Sequence, residues 1–254
     1  MSFDVAADAY DRFMGRYSVL LSPQLADLSG VTVGQRALDV GCGTGMLTAE
    51  LVSRLGPEAV TAIDPSESFV GAMQERHPDV DVRRGTAEQL PFADATFDVA
   101  LAQLVVSFMT DAGAGVTEMA RVTRPGGVVA ISMWDIAGAR APISPFWKAA
   151  LALDPGATRD RPLVGGREGE LADLLTKAGV SDITQSELLA TIEHPTFDDW
   201  WQPFGAGGGP VGAYMEGLDS GGRVALREGC RTLLGDGPFT LQTWAWAARG
   251  VVTP

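Results

Sequence analysis

The chain is poor in cysteine: Cys42 and Cys230 are its only two in 254 residues. Two thiols cannot build a disulfide framework, so the core has to hold the fold, and such sparse usage points to a reducing, cytoplasmic setting. Histidine is as scarce. His77 and His194 stand far apart, neither belongs to a ligand-spaced group, and no metal centre is expected. Positive charge is short as well, since 19 Lys and Arg against 32 Asp and Glu leave a net charge of −13. That is the wrong sign for a surface that grips nucleic acid or anionic lipid. No unbroken apolar run approaches the ~18 residues of a membrane span, and Asp4, Asp8, Asp11, Arg12 and Arg16 fill the stretch where a signal peptide would be apolar. What remains, 46% hydrophobic and 20% charged residues, reads as one soluble globular domain over 1–254.

Glycine, by contrast, is plentiful at 31 residues, and its most informative cluster lies in ALDVGCGTG, residues 37–45. Ala37 to Val40 reads as a short buried strand running into a turn on Gly41, Cys42, Gly43 and Gly45. Leu47, Leu51 and Leu55 then share one face of a helix from Met46 that stops at Gly56-Pro57. Lacking a Cβ, the glycines let the backbone turn sharply while its N–H groups approach a ligand. A dinucleotide site needs G-x-G-x-x-G, whereas the spacing here is G-x-G-x-G. Asp39, two residues before the first glycine, would repel a pyrophosphate and attract a ligand carrying an ammonium and a sulfonium. Alone, the motif also admits a strand–helix turn that is glycine-rich only for packing.

DVGCGTG resembles the first motif of class I S-adenosylmethionine (SAM)-dependent methyltransferases, and three later stretches within 36–134 resemble the same group in order. In AVTAIDPSES, Asp64 follows Gly45 by 19 residues, the offset that returns a second strand's tip beside the glycine turn and presents a carboxylate to two ribose hydroxyls. Pro65 and Ser66 start the next helix, with Ser66 as its N-cap and Phe69, Val70 and Met73 inward. GTAEQLPFADATFDVALAQ is the second stretch; the resemblance implies that Thr86, Ala87 and Glu88 lie against the adenine. A central strand, Phe97 to Ala102, ends at Gln103 on the sheet's carboxyl edge. A helix over 111–121 and the R-x-T-R-P-G-G-V-V pattern follow, with Pro125-Gly126-Gly127 as a turn before a fifth strand, Val128 to Trp134. Upstream, the apolar spacing of residues 3–28 reads as helix. AYDRFMGRYS resembles the N-terminal region of the ubiquinone/menaquinone-biosynthesis methyltransferases, which implies that Tyr17 touches SAM and Arg16 pairs with its carboxylate. The alternative is a packing helix with Arg16 in solvent.

The fold expected is thus α/β: a Rossmann-like three-layer sandwich on a seven-stranded, mostly parallel sheet with an antiparallel C-terminal strand. Residues 1–35 form an N-terminal helical cap, 36–134 the cofactor core and 135–254 the acceptor side. Phe146, Trp147 and Leu151 share a possible helix face, a helix spans 168–178, strands are expected at 183–192 and 239–251, and between these an insertion over 194–236 forms a lid. The reaction expected is methyl transfer from SAM, leaving S-adenosylhomocysteine, to a small lipophilic or aromatic metabolite. Val105, Phe108, Met109, Trp134, Trp200, Trp201 and Tyr214 are the apolar residues expected near the acceptor. In-line displacement from a sulfonium destroys charge, so near-attack geometry contributes more to the rate than a positioned base does. His194, Asp135 and Gln103 are the candidates for acid–base help, and a lone histidine at a strand end is usually structural. Two other readings share these motifs: a non-catalytic SAM-binding regulator, and a nicotinamide-dependent oxidoreductase, which the glycine spacing and Asp39 disfavour.

Overall fold

The computed structural model describes residues 11–157, 163–206 and 209–253. Seven strands, β1 (Ala37–Val40), β2 (Val60–Asp64), β3 (Asp81–Arg84), β4 (Phe97–Gln103), β5 (Thr123–Trp134), β6 (Val180–His194) and β7 (Phe239–Val252), form one sheet in the order β3-β2-β1-β4-β5-β7-β6. The first five pair in parallel, and β7 runs antiparallel to both β5 and β6. Every residue of β1 and β2 is buried, as a parallel strand covered on both faces requires. Strand order reverses between β1 and β4, which opens a crevice at their carboxyl ends.

Helices α1 (Arg16–Ser29), α2 (Met46–Leu55) and α3 (Glu67–Arg76) pack Leu21, Leu25, Leu47, Leu51 and Met73 on one face of the sheet. α4 (Ala112–Val122), the loop leading to α5 (Ser144–Leu153), and α6 (Glu170–Lys177) lie further along; α4 and α6 cover the other face through Val116, Met119, Leu171 and Leu175. A third core is built apart from the sheet. It joins α5 to α7 (Phe197–Trp201), α8 (Gly209–Glu216) and α9 (Ser220–Leu234), which occupy the connection from β6 to β7, around Phe146, Trp147, Phe197, Trp200, Leu226 and Cys230. No helix among the described residues is long and apolar enough to cross a membrane.

Four sequence expectations change in detail. β5 begins at Thr123, because Phe97 pairs with Thr123 and Val99 with Val128, so Arg124 to Gly127 is a bulge inside the strand rather than a turn before it. A Cβ on Gly127 would stand 2.7 Å from the Asp98 carbonyl oxygen, which is why the bulge needs glycine there. β6 extends to Val180 and His194 across an irregularity at Asp182, whose φ is +49°. Leu151 is 48% exposed: the buried face of α5 centres on Phe146 and Ala150, one turn apart, and leaves Leu151 at its edge. The N-terminal helix is described from Asp11, a turn of wide pitch over Asp11–Gly15 leading into α1; residues 3–10 of the expected helix lie outside the described residues.

Ser66 caps its helix as expected, and the structure adds Asp111 as a second cap. Ser66 accepts from the Phe69 N–H, and Asp111 accepts from the Ala114 N–H at 3.0 Å. Asp111→Ala should lower stability by about 1 kcal/mol, read as a fall in denaturant midpoint at constant slope.

Candidate functional site

The glycine turn is fixed from below. The N–H groups of Gly41 and Cys42 both donate to the Ile63 carbonyl at 2.8 and 3.1 Å, and Gly45 N–H closes the turn on the Cys42 carbonyl at 2.9 Å. Gly41 and Gly45 are glycines for want of room: a Cβ would stand 2.4 Å from Val105 Cγ2 in one case and 2.0 Å from Met73 Sδ in the other. Gly43 differs. Its φ is +54° and a Cβ there would meet nothing within 4 Å, so the middle of the turn faces open space. Cys42 contributes its backbone, and burial pushes its thiol pKa well above the usual range.

Two buried carboxylates flank this turn. Asp64, at the tip of β2, accepts from Gly43 N–H at 2.9 Å and Ser66 N–H at 2.8 Å, and burial raises its pKa despite those bonds. Asp39 lies beneath the turn, 1% exposed, and accepts from Thr48 Oγ1 at 2.6 Å. Burial pushes it up to about 7; the Thr48 bond opposes that rise and the charge of Asp64 adds to it. Pro65 turns the chain outward, its carbonyl accepting from Arg84 Nε. The N-terminal segment crosses the turn as Asp11 pairs with Arg76 and accepts from Thr44 Oγ1, while Arg76 also donates to the Thr44 carbonyl.

Not every expected residue faces this cleft freely. Glu88 accepts from the N–H groups of Thr110 and Asp111, which ties its carboxylate to the start of α4; Thr86 is exposed and Ala87 packs beside Gly115. Gln103 donates to the Ser18 carbonyl and Ser22 Oγ, joining the end of β4 to α1, and its buried Oε1 has no partner among the described residues. Asp135 accepts from Gly138 N–H and pairs with Arg140, which holds the loop after β5, so it closes a turn and is not a free base. Six of the seven apolar residues divide three ways, Val105 and Met109 on the α4 face, Trp134 on the α1 face, and Trp200, Trp201 and Tyr214 in the helical core, while Phe108 is 37% exposed.

Arg16 and Tyr17 meet a residue that sequence reasoning missed. Arg16 forms an ion pair with Asp199 at 3.0 Å, Asp199 bonds His194 Nδ1 at 2.7 Å, and His194 Nε2 bonds the Tyr17 hydroxyl at 3.0 Å. His194 is 1% exposed and stacks on Phe239. The available signal was local: Thr196 caps α7 by accepting from the Asp199 N–H, which brings Asp199 back toward His194. Beyond β5 lies a cavity of about 900 Å³, lined by Ile136, Trp147, Leu163, Leu234 and Leu241 with Arg140 at its side.

A crevice at a strand-order reversal, a G-x-G-x-G turn and an acid at the tip of β2 define the class I SAM-dependent methyltransferase fold. Residues 38–131 match the family model described as "Methyltransferase domain". It is 35% identical over 131 residues to a malonyl-[acyl-carrier protein] O-methyltransferase of Erwinia billingiae, covering 52% of this chain and 51% of the relative. To a demethylmenaquinone methyltransferase of Beutenbergia cavernae it is 38% identical over 106 residues, covering 42% and 43%. The chain spans about half the length of the curated relatives it matches. Among solved structures, the YcgJ protein from Bacillus subtilis superposes with a TM-score of 0.60 at 16% identity, covering 92% of this chain and 98% of that one. A SAM-dependent methyltransferase from Thermotoga maritima gives 0.57 at 19% identity, covering 97% and 96%. At these identities the likeness is one of fold.

The residues present fit SAM. The open side of Gly43 admits a ligand backbone to backbone, two buried carboxylates favour a cationic and hydroxylated molecule, and the unpartnered Gln103 Oε1 supplies a buried acceptor at the end of β4.

Proposed function

We propose that this chain transfers the methyl group of SAM to a hydroxyl of a small, lipophilic or aromatic acceptor. The observation that carries the reading is the pair of buried carboxylates, Asp39 and Asp64, on either side of a turn that is open at Gly43. In this reading Gly41, Cys42, Gly43 and Gly45 cradle the methionine portion, with the negative field of Asp39 and Asp64 favouring its ammonium and sulfonium. Asp64 accepts from the ribose hydroxyls, Pro65 and Ser66 border them, and the 86–88 turn lies against the adenine. Gln103 stands at the methyl end. The group supplies an activated methyl when bound; the chain orients donor and acceptor and excludes water, which can account for ~7–11 kcal/mol of barrier lowering. An oxygen acceptor agrees with the O-methyltransferase names of the relatives.

The test is calorimetric titration of the purified chain with SAM and, separately, with NAD. Micromolar SAM binding without NAD binding supports the proposal, and the reverse removes it. Asp64→Asn, which keeps one carbonyl oxygen for the turn, should weaken SAM roughly ten- to a hundredfold, as expected of ~1.5–3 kcal/mol for hydrogen bonds to a charged acceptor. An unchanged constant in a folded variant takes Asp64 out of the site.

A further inference from the structure

The cavity beyond β5 is bordered by a stripe of α5 that points away from that helix's own core. Phe146 and Ala150 bury one face of α5, while Ser144, Lys148 and Leu151, at steps of four and three, share another face and line the cavity. Lys148 is exposed beside Leu151, the leucine that the packing of α5 leaves in solvent. Leu233, near the end of α9, is 41% exposed and lines the same cavity. With Trp147, Leu234 and Leu241 behind them, these two leucines make one apolar surface that no described residue covers. Its volume, about 900 Å³, falls within the ~300–1,000 Å³ usual for small-molecule sites.

The charge at the mouth runs against that of the chain. Acids outnumber Lys and Arg by 32 to 19 overall, yet the described lining holds three cations, Arg140, Lys148 and Arg167, and one acid, Glu170. Arg140 is already engaged: it pairs with Asp135 and Glu187 and lies over the rings of Trp244 and Trp246. Glu170 is turned to its own loop, accepting from the N–H groups of Gly165 and Arg167 at 2.9 and 3.3 Å, and stands 3.9 Å from the Arg167 guanidinium. Lys148 has no ion-pair partner among the described residues. Its four-carbon stem can lie along the apolar surface while the ammonium meets an anion at the mouth. A cationic head would be repelled there, and a neutral one would gain nothing from the charge.

We propose that this cavity binds a lipophilic carboxylate, with its apolar body against Trp147, Leu234 and Leu241 and its head toward Lys148, where Arg167 adds to the field. Neither the glycine turn nor Asp39 nor Asp64 lines the cavity, so the site stands whether or not the chain binds SAM.

The probes are decanoate, decanol and decyltrimethylammonium, which share one chain length and differ in the charge of the head. Each is titrated into the full chain by calorimetry, below its micelle-forming concentration. Decanoate should bind at one site per chain and roughly fivefold more tightly than decanol, with decyltrimethylammonium weaker than either. Lys148→Glu should remove the advantage of decanoate and leave decanol unchanged. Leu151→Gln should weaken decanoate and decanol alike. Both side chains are exposed, so both variants should keep the circular dichroism and melting of the parent. Equal affinity for the three heads, a preference for decanoate that survives Lys148→Glu, indifference of both ligands to Leu151→Gln, uptake at many sites, or no binding overturns the proposal. The parent's ranking of the three probes decides the matter even if a variant does not fold.

Discussion

Gly43→Val should yield a folded protein that has lost SAM binding by at least about a hundredfold. The reason is the contrast within one turn. At Gly41 and Gly45 an added Cβ runs into Val105 and Met73, so substitutions there damage packing and would lose binding for an uninformative reason. At Gly43 the same atom meets nothing of the protein, and the cost to the fold is confined to holding a β-branched residue at φ +54°, about 1–3 kcal/mol. A side chain projecting from that position fills the space the ligand's methionine portion needs. Circular dichroism with thermal melting checks the fold, and calorimetry checks the affinity. A folded variant that still binds SAM as tightly as the parent would show that the ligand does not approach the middle of the turn.

The second large effect runs in opposite directions for stability and binding. Asp39→Asn should make the protein more stable at pH 8 and bind SAM less well. Burial raises the folded-state pKa of Asp39 to about 7, well above its unfolded value, so between roughly pH 4 and pH 7 the folded chain holds a proton that the unfolded chain has lost. The stability contributed by the protonated group is complete below the unfolded pKa and is lost as pH rises through about 7. A shift of this size has a ceiling of about 4 kcal/mol. Asparagine removes that dependence, and the denaturant midpoint should rise at pH 8 and change little at pH 4. The neutral amide also gives up the attraction for an ammonium or sulfonium. A midpoint that is unchanged at pH 8, or binding that improves, would contradict the role given to the buried charge.

The cofactor half was legible because its signals are local. A buried four-residue strand, a glycine turn and an acid at a fixed offset each depend on neighbours in sequence, and β1, α2, β2 and α3 fall where those signals put them. The bulge at Arg124 to Gly127 escaped because it is defined by pairing with β4 rather than by its own residues. His194 was named, but its partners Tyr17 and Asp199 escaped for a stronger version of that reason. Read alone it is a strand-end histidine, and its hydroxyl partner lies 177 positions away on α1. The acceptor side likewise divides among three cores that apolar composition cannot tell apart.

The separate core formed by α5, α7, α8 and α9 has a consequence for how such a protein changes over generations. Among the described residues, the apolar side chains packed against both this core and the α1 face of the sheet are Phe13, Ile143 and Leu241, and the Arg16–Asp199 ion pair joins α1 to α7. The methyltransferase domain match ends at residue 131, before any of those four helices begins. Substitutions that reshape the helical core therefore cross few shared contacts on the way to the glycine turn, and most leave Asp39 and Asp64 undisturbed. The helical core and the glycine turn can therefore change largely independently of each other.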